Sequence, residues 1–166
     1  MTLGIDPVTI PHMTPDQTTI QSLFEDKDGV LYWRKTGKKA GTLHRTKYIQ
    51  VGIDGKSYNA HRLMFMLHYG WVPEVIDHID GNRSNNKIEN LRPATWTQNL
   101  QNMKLRPNNK SGCKNVSWSS AKQKWAVQLS INGRQRNLGR FDDLELADLV
   151  ATEARNKYHG AFARHL

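Results

Sequence analysis

Between Val75 and Lys104 the order of residue chemistries admits one kind of local structure. Val75–Ile79 is short and apolar around an Asp-His pair, so it reads as a strand. Asp80–Asn86 is dominated by Asp, Gly, Asn and Ser, the residues of turns and tight loops. Leu91–Ala94 is a second short strand, and Thr95 can cap a helix running from about Trp96 to Lys104. The expected unit is strand, polar loop, strand, helix.

The flanks extend this pattern. Residues 1–13 hold two prolines and no periodicity, which predicts a loose tail. Thr14, Pro15 and Gln17 look like a helix start, with a short helix to about Phe24. Val30–Lys35 reads as a strand. Tyr48–Ile53 and Lys56–His61 alternate around Asp54-Gly55, a hairpin signal. Arg62–Tyr69 is an apolar helix stopped by Gly70. Leu105–Gly112 is polar and holds a proline and a glycine, so the domain boundary is placed there. Beyond it come strands at Asn115–Ser119, Lys124–Ile131 and Arg134–Phe141, the last two joined by Asn132-Gly133, and an amphipathic helix over Asp143–His159.

The chain carries a formal net charge of +9, which favours a polyanionic partner, nucleic acid before an acidic membrane. The excess is uneven: residues 1–96 hold 12 Lys+Arg against 10 Asp+Glu, and residues 97–166 hold 12 against 5. The C-terminal part should grip phosphate more strongly. One cysteine, Cys113, excludes an internal disulfide and a four-cysteine zinc cage. The opening residues lack a secretory signal pattern, and no stretch approaches the ~20 apolar residues of a membrane span. The expectation is a soluble, cytoplasmic protein with no membrane partner and no small-molecule substrate.

Hydrolysing a phosphodiester requires deprotonating water, neutralising phosphate and stabilising the leaving oxygen. A histidine suits the first task, because its unperturbed pKa lies near ~6.5. A bound divalent cation suits the other two. Mg2+ takes hard oxygen ligands, of which the protein supplies one or two. Asp77 offers a carboxylate beside His78, and Asn99 offers an amide oxygen about one turn into the following helix. Asn90 lies where the loop returns, placed to tie backbone groups together.

Asp77-His78, Asn90 and Asn99 together resemble the HNH motif of the ββα-metal nucleases. The pattern is most similar to phage and intron-encoded HNH homing endonucleases that end in Asn instead of His. Ala60-His61-Arg62-Leu63 and Asn85–Leu91 add to the likeness, which covers roughly residues 20–104. The resemblance implies His78 as general base, Asp77 and Asn99 as metal ligands, and Asn90 as the residue that braces the loop. Asn99 in place of a final histidine disfavours tight zinc binding and favours Mg2+ or Mn2+, one ion per site. His61 and His68 are expected in core or surface roles; His12, His44, His159 and His165 have no supporting context.

Ser111–Trp118, Lys124–Val127 and Asn137–Asp142 are similar to an AP2-type DNA-binding domain, over about residues 111–160. That resemblance implies a three-stranded antiparallel sheet docked in the major groove and backed by a helix. By alternation the free face carries Lys124, Gln128 and Ser130, with Gln135 and Asn137 on the next strand. Lys114, Trp118, Arg134, Arg136 and Arg140 lie near the rims. Gln and Asn read adenine edges, while Lys and Arg hold phosphate or guanine. Ser117 and Ser130 stand where plant AP2 domains carry arginines, so a known target sequence is not carried over.

The expected fold is therefore α+β: a ββα-metal nuclease domain over 14–104, a linker over 105–112, and a small AP2-like sheet with one helix over 113–166. The expected function is a metal-dependent endonuclease acting on double-stranded DNA as a monomer or weak dimer. The alternative is a sequence-specific DNA-binding regulator with an inactive nuclease motif.

Overall fold

A computed structural model describes residues 15–165. The expected tail over 1–13, with His12, and the expected cap Thr14 lie outside the described residues. By its internal contacts the chain divides into two units, Met1–Ala94 and Thr95–Leu166.

In the first unit, α1 (Gln17–Leu23) leads into the hairpin of β1 (Phe24–Lys27) and β2 (Val30–Trp33). A second antiparallel sheet has the order β3 (Thr42–Leu43), β4 (Ile49–Ile53), β5 (Lys56–Asn59). Then come α2 (Ala60–Tyr69), β6 (Val75–His78), a 3-10 turn at Ile88–Asn90 and β7 (Leu91–Ala94), which pairs antiparallel with β6. Ile20, Phe24, Val51, Leu63, Met64 and Phe65 are among the fully buried side chains of one core, which also takes in Ile76 and Leu91 from the β6–β7 ribbon. The ribbon is thereby fixed to α2 by apolar burial, worth about 1.5–3 kcal/mol for each large side chain.

Two expectations change in this unit. The helix starts at Gln17, later than its sequence signal, and Asp16 caps it by accepting from the Thr19 backbone N–H at 2.7 Å. Gln17, expected as a capping partner, instead reaches across to the Leu67 carbonyl of α2 at 3.1 Å. The helix, expected to run to about Phe24, ends at Leu23, and Phe24–Lys27 form β1. Asp28-Gly29 turns the chain back, with φ of 54° and 82°. Asp54-Gly55 (48°, 75°) and Asn132-Gly133 (50°, 74°) adopt the same doubly positive conformation. This is the hairpin turn whose twist matches that of its strands.

In the second unit, α3 (Trp96–Gln101) opens on a capping box made by Thr95 and Gln98. A three-stranded antiparallel sheet follows, β8 (Val116–Ser119), β9 (Lys124–Ile131) and β10 (Arg134–Phe141), with β9 in the middle. Helix α4 (Leu144–His159) packs Ala147 and Ala151 onto Val116 and Val127. Small residues on the helix let it lie close to the sheet. Arg155 of α4 is only 1 % exposed. Its guanidinium bonds the Lys114 carbonyl and the Thr152 hydroxyl, pinning the approach to β8 under the helix.

The expected linker over 105–112 does not separate the units; the division falls at 94/95. The reason is visible at Lys114. Its ammonium donates to the carbonyls of Gln101 at 2.8 Å and Met103 at 2.6 Å. The end of α3 is thus tied to the segment entering β8.

Candidate active site

All four residues of β6 are buried: Val75, Ile76, Asp77 and His78. A strand buried on both faces carrying a carboxylate and an imidazole must satisfy both groups internally. The antiparallel register puts Arg92 of β7 opposite Asp77. Arg92 donates to Asp77 Oδ2 from Nε at 2.8 Å and from its terminal nitrogen at 2.7 Å. The guanidinium offsets the cost of holding a carboxylate at 2 % exposure.

His78, at 5 % exposure, closes the strand. Its Nε2 lies 3.2 Å from Asn86 Oδ1. With the amide oxygen accepting, Nε2 carries the proton and Nδ1 carries the basic lone pair. Burial pushes the imidazole below its ordinary pKa, and Arg83 adds to this; Asn86, Asp80 and Asp77 oppose it. The ring is therefore neutral at neutral pH, the form a general base requires.

Two more rings enclose it. His61 stands edge-on to His78 at 5.1 Å between centroids, and Tyr48 lies 5.1 Å from His61 and 6.0 Å from His78. Burial, with help from His78 and Arg62, drives the His61 imidazole down to about 3. Its Nδ1 is buried and has no hydrogen-bond partner among the described residues. His61 was expected in a core or surface role; it is a buried wall of the imidazole pocket. Its signal in the sequence was its place in Ala60–Leu63, but nothing there ties it to residue 78.

The loop between β6 and β7 is held by Asn90. Its Oδ1 accepts from the Asp80 backbone N–H at 3.0 Å, and its Nδ2 donates to Asp80 Oδ1 at 3.0 Å and the Asn85 carbonyl at 2.8 Å. Asp80 in turn accepts from the Asn82 N–H and the Asn85 amide. Partial burial raises the Asp80 carboxyl, but these three donors outweigh it and lower its pKa. Asn86, one of several loop asparagines by sequence, gains its contact with His78 only through this loop closure.

The structure brings Asp77, His78 and Asn90 together in the first unit. Asn99 stands half-buried on α3 of the second unit, and its tie to Asp77 rests on sequence spacing. Among the described residues no group of three or more His, Cys, Asp or Glu forms a cage for a metal ion. A Mg2+-type site asks less of the protein, one or two hard oxygens with water completing the shell. The Asp77 carboxylate beside His78 is a donor of that kind.

A family model described as HNH endonuclease matches residues 58–101, the stretch from β5 through α3. Protein 3.8 of Escherichia phage T7 is 40 % identical over 97 residues, which is 57 % of this chain and 79 % of that protein. The chain belongs to the HNH endonuclease family. Its HNH segment contains His61, Asp77, His78, Asn86, Asn90 and Asn99. A solved structure of DNA binding and cleavage by the HNH homing endonuclease I-HmuI matches at a TM-score of 0.44 and 25 % identity, covering 74 % of this chain and 75 % of that one.

The expected DNA-binding residues of the second unit fall into three places. Register puts Gln135 opposite Ser130, Asn137 opposite Gln128 and Arg140 opposite Ala126. With Lys124 these lie on the sheet face turned away from α4, and all but Lys124 and Ala126 are exposed. A bulge between Asn137 and Gly139 brings Arg140 onto that face. Gln135 and Gln128 bond each other at 3.1 Å, and Lys124 pairs with Asp142 at 2.9 Å. Arg134 and Arg136 lie opposite Ile131 and Leu129, on the α4 side, and Trp118 packs edge-on against Trp125 at 4.9 Å. Lys114 drops out of the expected contacts, because its ammonium is held by two carbonyls.

Proposed function

We propose that this chain is a metal-dependent DNA endonuclease whose second unit binds duplex DNA. The observation that carries this reading is His78: a buried neutral imidazole, held through Nε2, next to a buried carboxylate in the HNH segment. His78 Nδ1 takes the proton from the attacking water. Asn86 keeps the ring from turning, and Asn90 keeps Asn86 in place by closing the loop. A divalent ion, Mg2+ or Mn2+, supplies Lewis acidity toward the phosphate and the leaving 3′ oxygen. Asp77 would hold it, with Arg92 fixing the carboxylate; Asn99 is the second ligand that motif spacing points to.

The open face of the β8–β10 sheet supports DNA binding by its chemistry. Amide side chains at Gln128, Gln135 and Asn137 can bond base edges, and Lys124 and Arg140 can bond phosphate or guanine. Arg134 and Arg136, on the α4 side of β10, would reach phosphate only past the sheet edge, and Trp118 would serve at the rim. The same basic face also favours the second reading, a DNA-binding regulator without cleavage.

Supercoiled plasmid separates the two. Conversion to nicked or linear DNA in Mg2+ or Mn2+, stopped by EDTA, is expected of the enzyme. His78→Ala should lower that rate by ~10²–10⁴ while leaving DNA affinity nearly unchanged. Wild-type protein that binds but never cuts selects the regulator.

A further inference from the structure

The turn before β4 and the site loop place three cations together that neither the motif nor the fold accounts for. Arg83 projects from the loop that holds Asn86 and is exposed. Its NH1 donates to the Thr46 carbonyl at 3.3 Å, and its guanidinium carbon stands 5.1 Å from the Tyr48 ring centroid. A guanidinium stacked on an aromatic face keeps its edge donors turned outward, in the fork that suits a phosphate. Arg45 and Lys47 are exposed on the adjoining turn. That turn is closed by His44 N–H to Tyr48 and by Lys47 N–H to His44, both at 2.8 Å.

None of these three cations has an ion-pair partner among the described residues, whereas Lys27 and Lys87 of the same unit pair with Glu25 and Asp28. Asp80, on the loop that carries Arg83, is taken up by Asn82, Asn85 and Asn90. Grouped cations without a counter-charge repel one another until an anion arrives. Tyr48 links them to the chemistry, since the ring under Arg83 is the ring 6.0 Å from His78. The two ring distances set an upper limit of about 11 Å on the separation of guanidinium and imidazole, the rise of some three base pairs at ~3.4 Å each along the helix axis.

We propose that Arg45, Lys47 and Arg83 form a phosphate clamp that holds the DNA backbone a few nucleotides from the bond presented to His78. The clamp rests on the reading of the first unit as a DNA nuclease, and it gives that unit its own grip on DNA.

The test measures duplex affinity against salt concentration, by fluorescence anisotropy in EDTA. The triple variant Arg45→Gln, Lys47→Gln, Arg83→Gln should flatten the slope of log K against log salt by nearly three, at ~0.9 per lost phosphate contact. Arg45→Gln with Lys47→Gln, which leaves the Tyr48 stack intact, should flatten it by nearly two by the same rule. Removing equal charge at Lys35, Lys38 and Lys39, exposed elsewhere in the unit, should change it by less than one such contact. A triple variant with the wild-type slope, or one no different from the Lys35/Lys38/Lys39 control, overturns the clamp. The measurement needs neither metal nor cleavage. A wild-type protein that fails to nick plasmid defeats the nuclease reading while the slopes still decide the clamp.

Discussion

His78 and His61 are two imidazoles in one pocket, set to different tasks by their neighbours. His78 has Asn86 on Nε2, whereas His61 has a buried Nδ1 with no partner among the described residues. Asn86→Ala should free the His78 ring and slow nicking by roughly tenfold, less than loss of the imidazole itself. Because Asn86 raises the His78 pKa, its removal should also move the acid limb of the rate profile to lower pH. A rate–pH series on plasmid checks both. His61 makes a separate claim on stability. Its folded pKa of about 3 lies below the ordinary value of 6.5. As pH falls from 6.5, the unfolded chain takes up a proton that the folded one refuses. Stability is complete above that range and drains by at most ~1.4 kcal/mol per pH unit down to about 3. Melting temperature should therefore drop steeply between pH 6.5 and 4, and His61→Gln should flatten the drop.

At the scale of elements, three hairpins with the same turn do different work. The Asp28-Gly29 turn abuts the backbone entering the 3-10 turn that carries Asn90. A Cβ on Gly29 would fall 2.5 Å from Lys87 N and 2.8 Å from Lys87 Cα, in a residue with φ of 82°. Gly29→Ala should cost about 1–3 kcal/mol from the backbone conformation alone. It should also slow nicking by disturbing the loop that places Asn86; differential scanning fluorimetry and the plasmid assay read the two effects. The turn was legible in the sequence as a helix stop. Its partner strand β1 was not, because Phe24–Lys27 is short and lacks clear alternation. What makes it a strand is the turn that folds it onto β2. Strands β6, β7, β9 and β10 were legible for the opposite reason, being bounded by strong turn chemistry. Within the site, Asp77, His78 and Asn90 were marked by spacing; His61 and Asn86 lay in stretches that resembled the family but with no sign that they meet residue 78, and Tyr48 and Arg83 carried no local signal.

Across the whole molecule, charge and chemistry are divided. The HNH pocket sits in a unit of nearly balanced charge, and most of the excess positive charge lies in the residues after it. Arg140 is the open-face cation that the bulge in β10 re-aims. Arg140→Gln should flatten the salt dependence of duplex binding by about one contact without changing the melting temperature. Anisotropy titrations at several salt concentrations test this.

Sequence alone determined the strand–loop–strand–helix unit, the hairpin turns, the amphipathic final helix and the Asp-His…Asn…Asn spacing, because each depends on residues near one another in the chain. Tertiary structure decided the rest. It set Arg92 across from Asp77, closed the loop so that Asn86 meets His78, gathered His61 and Tyr48 about the same ring, and laid Arg83 over Tyr48. It also turned Lys114 from an expected DNA contact into a clasp on the end of α3. Those pairings depend on register, burial and long-range closure, which no local pattern encodes.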